Sequence, residues 1–288
     1  MRNIIDAIIT LVEQSEKNLF NDNKKSEVNG YYDLETYVKN IFANAFDCEN
    51  DDERRDKLSN TFIYLGNSTN PPDLILKSGD AIEVKKVQPN YWKTEFDGKV
   101  LLNSVYPRKF LNISDPLLTK SCREAEKWTK KDIIYAVGIS KERKLKHFCM
   151  VYGCNYCASD EYYKEICYQI QEGLKNIQNV SFPYTREFGR VEKIDPLKST
   201  LVRIIGQWQI ESPWKIFNYI YNRSEEADFT FMCLIDDIKW NQLNNVNELM
   251  KLQSNYKNLK ISDVKIKNPD NPKILENAKL ITHHIEVV

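Results

Sequence analysis

The sequence predicts an α/β fold in which a helix, three strands, a second helix and a further strand follow one another around a central mixed sheet. Three observations support this order. Apolar residues recur at helical spacing over residues 34–46. Two short apolar runs, Leu74 to Leu76 and Ala81 to Val84, flank Ser78-Gly79-Asp80 and predict a β-hairpin. The almost continuous apolar run over residues 132–139 has the length of a strand and predicts one that is covered on both faces.

The remaining elements follow from the same patterns. Helical spacing predicts further helices over residues 4–12, 120–128, 159–177 and 246–252. Apolar runs of strand length predict strands over residues 61–65, 147–153, 229–235, 259–266 and 280–288, with a strand or short helix over residues 201–210. The polar stretch 21–29 and the charged stretch 47–56 predict loops. Asp33 is the expected N-cap of the helix that begins at Leu34.

The composition limits the class of protein. Hydrophobic residues make up 42% and charged residues 28% of the 288-residue chain, which is typical of a globular protein. No apolar run approaches the ~18 residues of a membrane span, and the N-terminus lacks a signal-peptide pattern, so we expect a cytoplasmic location. Because the sequence contains neither an internal repeat nor a convincing linker, we expect one domain over residues 1–288.

Charge and metal-ligand counts exclude some functions. The 41 Lys and Arg residues balance 41 Asp and Glu residues, which argues against a protein that coats nucleic acid through a global positive field. Three histidines and no His-Glu-x-x-His pattern leave little room for a histidine-metal nuclease. Cys154 and Cys157, with His147 and Cys149, could supply four zinc ligands. Structural zinc sites usually combine two separate cysteine pairs, so we expect seven free thiols and no structural metal.

The predicted hairpin brings three charged side chains together. Folded about its turn, it places Asp73 opposite Lys85, with Glu83 one step along the same ladder. Because side chains alternate along a strand, Glu83 and Lys85 point to one face and Lys86 points to the other. Two carboxylates held this close are costly unless a cation joins them, so the arrangement predicts bound Mg²⁺.

This grouping suits metal-assisted hydrolysis of a phosphodiester. Asp73 and Glu83 would hold the metal, which polarises the phosphate and acidifies a water molecule. Lys85 would orient that water or offset the developing charge. The alternative interpretation is a solvated hairpin whose charged residues simply face water, since an Asp…Glu-x-Lys pattern often occurs by chance.

These residues also carry a resemblance to a known family. Pro72-Asp73 with Glu83-Val84-Lys85 resembles the signature of the PD-(D/E)xK nuclease superfamily. The wider runs that are similar to NgoPII-like type II restriction endonucleases are residues 4–9, 62–67, 79–86 and 103–107. The resemblance implies a restriction-endonuclease-like α-β-β-β-α-β core over about residues 30–155, followed by C-terminal elaborations. It also implies that DNA-recognition elements lie within residues 100–115 and 181–215.

The resemblance extends to the reaction and its partners. It implies Mg²⁺-dependent cleavage of double-stranded DNA at a short palindrome such as GGCC, with Glu35 as a third acid at the metal. A palindrome read by identical subunits implies a homodimer. A cognate DNA methyltransferase is expected to be encoded nearby, with no direct contact implied. The alternatives are another PD-(D/E)xK nuclease that acts in repair or junction resolution, and a non-catalytic DNA-binding protein.

Several polar residues could contact DNA. Arginine and lysine side chains hold phosphates or read guanine edges, and amide side chains read adenine. The candidate DNA contacts are Asn103, Arg108, Lys109, Arg186, Arg190, Arg203 and Gln207. Asn103 is included because the family resemblance reaches that segment.

Overall fold

A long mixed β-sheet runs through the protein and carries helices on both faces. This computed structural model describes residues 2–15, 34–67, 69–88, 98–141, 144–183, 186–223 and 226–286. The helices in these residues are α1 (Ile4–Ser15), α2 (Leu34–Ala43), α3 (Asp51–Thr61), α4 (Lys120–Glu124), α5 (Gly153–Tyr156), α6 (Asp160–Leu174), α7 (Pro213–Ile216), α8 (Asp237–Gln242) and α9 (Val246–Asn255). The strands are β1 (Phe62–Tyr64), β2 (Leu74–Leu76), β3 (Ala81–Gln88), β4 (Lys99–Asn103), β5 (Phe110–Asn112), β6 (Lys130–Lys141), β7 (Lys144–Tyr152), β8 (Val180–Ser181), β9 (Glu187–Glu192), β10 (Leu201–Ile205), β11 (Trp208–Glu211), β12 (Phe229–Asp236), β13 (Leu259–Lys267) and β14 (Leu275–Ile285).

The main sheet has a mixed strand order. Its central path through the described strands is β1-β2-β3-β6-β7-β12-β14-β13, with β4 on β3, β5 on β6 and β11 on β4. The pairs β3–β6 and β7–β12 are parallel, and the other neighbours on the central path are antiparallel. Strands β8, β9 and β10 form a separate small sheet. The elements α2, β1, β2, β3, α4 and β6 follow one another in this order, with α3 inserted before β1 and β4 and β5 inserted before α4, and they confirm the predicted α/β core.

Alternation along the central strands divides the apolar core into two layers. Ile82 of β3 and Ile134 of β6 pack with α1, α2 and α9 on one face of the sheet. Their neighbours Ala81 and Ile133 pack on the opposite face, where α4, α5 and α7 contribute apolar side chains. Since both layers cover β3 and β6, these two strands are held in place from both sides.

One predicted loop is a helix. Residues 47–56 carry many charges, yet α3 begins within them at Asp51. The side-chain oxygen of Asn50 accepts a hydrogen bond from the backbone amide of Glu53 at 2.9 Å, which caps the helix N-terminus. Acidic residues in the first turn add a favourable interaction with the helix dipole. Local capping therefore produces a helix that apolar periodicity does not reveal.

Other boundaries also differ from the expectations. The helix predicted over residues 120–128 ends at Glu124, and residues 201–210 contribute two strands, β10 and β11. Asp33 and the polar stretch 21–29 lie outside the described residues. In the described ranges, every helix is too short or too polar to cross a membrane.

Candidate active site

The predicted hairpin forms, but its register differs from the prediction by two residues. β2 pairs with β3 through Leu74 and Ile82. Continuing this ladder sets Asp73 against Glu83, whereas the sequence predicts Lys85 at that place. Because the shift is an even number of residues, each side chain still points to the predicted face.

The turn shifts because Asp80 is held within the sheet. The amide of Leu76 donates to the carbonyl oxygen of Asp80 at 3.0 Å, so the turn comprises residues 77–79. The Asp80 carboxylate accepts hydrogen bonds from the Tyr152 hydroxyl and from Lys239 Nζ, each at 2.9 Å. These partners draw Asp80 out of the turn in which the sequence pattern places it.

Lys85 joins the two carboxylates on one face of the hairpin. Its Nζ lies 3.1 Å from Asp73 Oδ2 and 2.6 Å from Glu83 Oε2. The backbone amide of Val84 donates a further hydrogen bond to Asp73 Oδ2 at 2.7 Å. The three side chains that the sequence groups together therefore meet in the structure.

The electrostatics of this group reflect its burial. Burial and, next, the negative charge of Glu83 raise the pKa of Asp73 to about 7. Burial acts to lower the pKa of Lys85, but the charges of Glu83 and Asp73 outweigh it and raise that pKa above its usual range. Lys85 is therefore a cation at neutral pH, and it offsets the repulsion between the two acids.

The carboxylate pair fits a divalent cation. Both acids already converge on one cationic group, the ammonium of Lys85. Carboxylate oxygens are the ligands that Mg²⁺ prefers, and it commonly keeps several water molecules when it is held by one or two acids. In the part of the chain that the structure describes, no third Asp, Glu, His or Cys completes a metal-binding group with them.

The structure does not bring Glu35 to this pair. Glu35 lies in the first turn of α2, where its side chain is 37% exposed and Oε1 lies 2.6 Å from Lys39 Nζ. Through Val38, α2 packs in the core layer that contains Ile82 of β3. Alternation sends Glu83 to the opposite face of that strand. The implied role of Glu35 as a third metal ligand is therefore not met, because the helix covers the other side of the sheet.

Gly66 allows the backbone at Asp73 to come close. Its φ is +68°, in the left-handed region that favours glycine. A Cβ at Gly66 would lie 2.2 Å from the carbonyl oxygen of Asp73. The glycine that ends the first predicted strand therefore also positions the first acid of the site.

A neighbouring strand fixes another wall of the cleft. Tyr135 of β6 pairs with Glu83 in the sheet. Its hydroxyl accepts a hydrogen bond from Arg108 N at 2.9 Å and donates one to Arg108 O at 3.2 Å. The guanidinium of the buried Arg108 lies 2.7 Å from the carboxylate of Asp115. Tyr135 was not predicted from the sequence as a site residue. The only feature of the sequence that could have indicated its role is a side-chain hydroxyl inside an otherwise apolar strand.

The chain matches one family of known proteins over most of its length. The NgoPII restriction endonuclease family matches residues 2–267. The chain belongs to the NgoPII restriction endonuclease family. It is 46% identical over 288 residues to the type II restriction enzyme NgoPII of Neisseria gonorrhoeae, covering 98% of this chain and 100% of that protein. The resemblance is thereby confirmed, and the protein is a restriction endonuclease. No solved structure gives a significant match.

Three of the predicted DNA contacts of this NgoPII family member line the cleft that contains Asp73, Glu83 and Lys85. They are Asn103, Arg108 and Arg186. Lys109 is adjacent to Arg108 in the sequence but lines a different cavity, where it forms an ion pair with Asp270. Arg108 and Lys109 are therefore adjacent in the sequence but line different cavities, which the sequence alone does not predict.

The other predicted contacts lie on or beside the small sheet. Arg190 Nη2 and Arg203 Nε lie 3.1 Å and 2.5 Å from the same oxygen, Glu187 Oε1. Gln207 is exposed between β10 and β11. Arg190 and Arg203 therefore share one carboxylate within the chain, and a DNA contact by either one would compete with Glu187.

The cysteines pack as small apolar groups. All seven are free thiols, and Cys149 is fully buried in β7. Burial raises the pKa of Cys122 to about 11 and that of Cys157 to about 12. Cys122 and Cys157 are therefore poor nucleophiles at neutral pH. No cysteine is among the described residues that line the cleft around Asp73 and Glu83.

The first prediction concerns Gly66. Gly66→Ala is expected to reduce DNA cleavage at least about tenfold, because left-handed backbone costs a non-glycine residue about 1–2 kcal/mol and the new Cβ displaces Asp73. The effect of the substitution is measured by the rate of DNA cleavage and by the temperature of thermal unfolding. Gly173→Ala is the matched control, since nothing lies within 4 Å of a Cβ at that position. Parent-like cleavage by Gly66→Ala would show that Asp73 does not depend on this contact.

The second prediction separates Lys85 from Lys86. Lys85→Ala should reduce cleavage on the order of a hundredfold or more, the scale of losing a positioned acid, base or charge-stabilising group. Lys86 is exposed and pairs with Gly138 of β6 in the sheet. A Cβ at Gly138 would contact Leu34 of α2, so this pair lies on the face of the sheet that α2 covers. Lys86→Ala should therefore cut nearly as well as the parent. Cleavage and gel-shift assays on both variants test this, and an equal loss in both would contradict the assigned faces.

Proposed function

We propose that this restriction endonuclease hydrolyses both strands of double-stranded DNA at a short palindrome, with Mg²⁺ held by Asp73 and Glu83. The observation that carries the proposal is the convergence of these two acids on Lys85 in one cleft. Family likeness supports a G/C-rich palindrome, and GGCC is the sequence to test. A cytoplasmic location and a separately encoded methyltransferase that protects the same sequence complete the proposal.

The residues of the chain have distinct roles in this reaction. When bound, Mg²⁺ supplies charge neutralisation and lowers the pKa of an attacking water. The Val84 amide orients the Asp73 carboxylate through its hydrogen bond. Lys85 stands within contact of both acids, so its ammonium orients the attacking water and offsets negative charge on the phosphate. The expected products carry 5′-phosphate and 3′-hydroxyl ends.

The third prediction is a direct test of this activity. Plasmid DNA incubated with the protein and Mg²⁺ should give discrete fragments whose sequenced ends all derive from GGCC. Chelation of the metal should stop cleavage, and Glu83→Gln should reduce it on the order of a hundredfold, because the variant loses a charged metal ligand. Glu248→Gln, at an exposed position of α9, is the matched control.

The other outcomes distinguish the alternatives. Cleavage at discrete sites other than GGCC would overturn only the sequence assignment. Cleavage without sequence preference, or confined to branched DNA, would indicate a repair or junction-resolving nuclease. Sequence-specific binding without any cleavage would indicate a non-catalytic DNA-binding protein.

The fourth prediction concerns assembly. A palindrome presents the same contacts twice, so two chains related by a two-fold axis are expected on each duplex. Light scattering of the complex with a duplex that contains one site measures the number of chains. One chain per duplex would contradict the homodimer and point to an enzyme that cuts one strand at a time.

A further inference from the structure

Two arginine side chains from distant parts of the chain line the catalytic cleft. Arg108 lies between β4 and β5, and Arg186 immediately precedes β9. Both line the cleft that contains Asp73 and Glu83. The guanidinium of Arg186 donates a hydrogen bond to the backbone carbonyl of Thr69, and thereby links the start of β9 to the loop that leads into Asp73.

The two guanidinium groups differ in how their charges are balanced. Arg108 is 7% exposed and forms an ion pair with Asp115. Arg186 forms no ion pair with any residue in the described ranges, and its hydrogen bond goes to a neutral carbonyl oxygen. Burial and, next, the positive charge of Arg108 lower the pKa of Arg186, and the smaller opposite effects of Asp115 and Glu83 do not offset them. Arg186 is therefore a partly buried cation that a further anion would stabilise.

We infer that Arg186 binds a backbone phosphate of the DNA strand at or beside the bond that is cleaved, with Arg108 adding positive charge on the same side. This inference rests on the proposed function, because it takes the Asp73–Glu83 pair as the place of cleavage. The two carboxylates can bind a metal cation, and the two arginines can bind an anionic phosphate. Metal-assisted cleavage of a phosphodiester requires both kinds of group in one cleft.

The shape of the surface supports a phosphate rather than a base edge as the ligand. A second cavity adjoins the cleft and shares four of its lining residues: Val105, Tyr106, Arg108 and Arg186. A strand that passes from the catalytic acids into this second cavity therefore runs past both guanidinium groups. The planar guanidinium of an arginine can donate two parallel hydrogen bonds to two oxygen atoms of a phosphate, and such a contact positions the strand without reading its sequence.

Arg186 also differs from the other arginines near the small sheet. Arg190 and Arg203 are both held by Glu187, and they would have to leave an existing ion pair to bind a phosphate. Arg186 can bind one without breaking an ion pair in the described part of the chain. One N–H group of Arg186 donates to Thr69 O, and the other N–H groups of its guanidinium remain available to a phosphate.

The test combines Arg186→Ala with removal of single phosphate charges. Arg186→Ala should weaken binding to the cognate duplex about tenfold or more, the scale of a lost charge-assisted hydrogen bond, and should reduce the slope of log affinity against log salt by about one. Single-turnover cleavage should fall at least as much. Arg186→Lys should recover part of both losses, because it keeps the charge but not the fork.

Duplexes that carry one uncharged methylphosphonate identify the phosphate concerned. At the position that Arg186 contacts, the parent and Arg186→Ala should bind equally well, and that position should lie at or next to the cleaved bond. Arg55→Ala is the matched control, since Arg55 is 76% exposed on α3 and pairs with Asp52 there. It should match the parent in binding, cleavage and salt slope.

Three results would overturn the inference. One is an Arg186→Ala enzyme that binds and cleaves like the parent. Another is a loss of binding by Arg186→Ala that persists whichever single phosphate is replaced by a methylphosphonate, which would mean that Arg186 has only a structural role. A third is an unchanged salt slope with relaxed sequence preference, which would make Arg186 a base reader. Failure of the parent to cleave any DNA would instead refute the proposed function.

Discussion

The register of β3 against β6 is the constraint on which the rest of the site depends. β3 is hydrogen-bonded to β2 on one edge and to β6 on the other, and both of its faces are covered by core residues. A slip by one residue would exchange the buried Ile82 and the partly buried Val84 for Glu83 and Lys85, which would place two charges in the core. The same register sets Tyr135 beside Glu83 and so fixes the backbone of Arg108. Core packing and the geometry of the cleft are therefore two results of one alignment.

The cleft combines charges that would be unfavourable alone. Asp73 and Glu83 repel each other in a half-buried setting, and Lys85 offsets that repulsion within the free protein. The three side chains are therefore brought together before any metal or DNA binds. Because the Lys85 ammonium lies between the two carboxylates, a metal ion held by both acids would take its place.

The sequence predicts those features that depend on local pattern. The helical spacing of α2, the apolar run of β6 and the alternation in β3 are short-range signals, and all three elements form. Long-range contacts account for most of what it misses. The turn moves because Asp80 binds Tyr152 and Lys239, which are 72 and 159 residues away. Glu35 is kept away from the acid pair by the packing of its helix. The sequence names Arg186 as a DNA contact but does not place it in the cleft, to which a contact with Thr69, 117 residues away, links it. α3 is the exception, since its signal was local but lay in capping and charge rather than in apolar periodicity.

The two sides of the cleft are anchored to unequal degrees. Glu83 and Lys85 belong to β3 of the main sheet and Asp73 immediately precedes β2. Arg186 immediately precedes β9 of the small sheet, against which α6 packs. α6 has 15 residues and buries none of them. Regions with few buried apolar contacts open locally at a lower free energy than core strands do. The side of the cleft that carries Arg186 is therefore expected to open at a lower free energy than the side that carries Asp73, Glu83 and Lys85, so a stiff duplex would enter by displacing the small sheet.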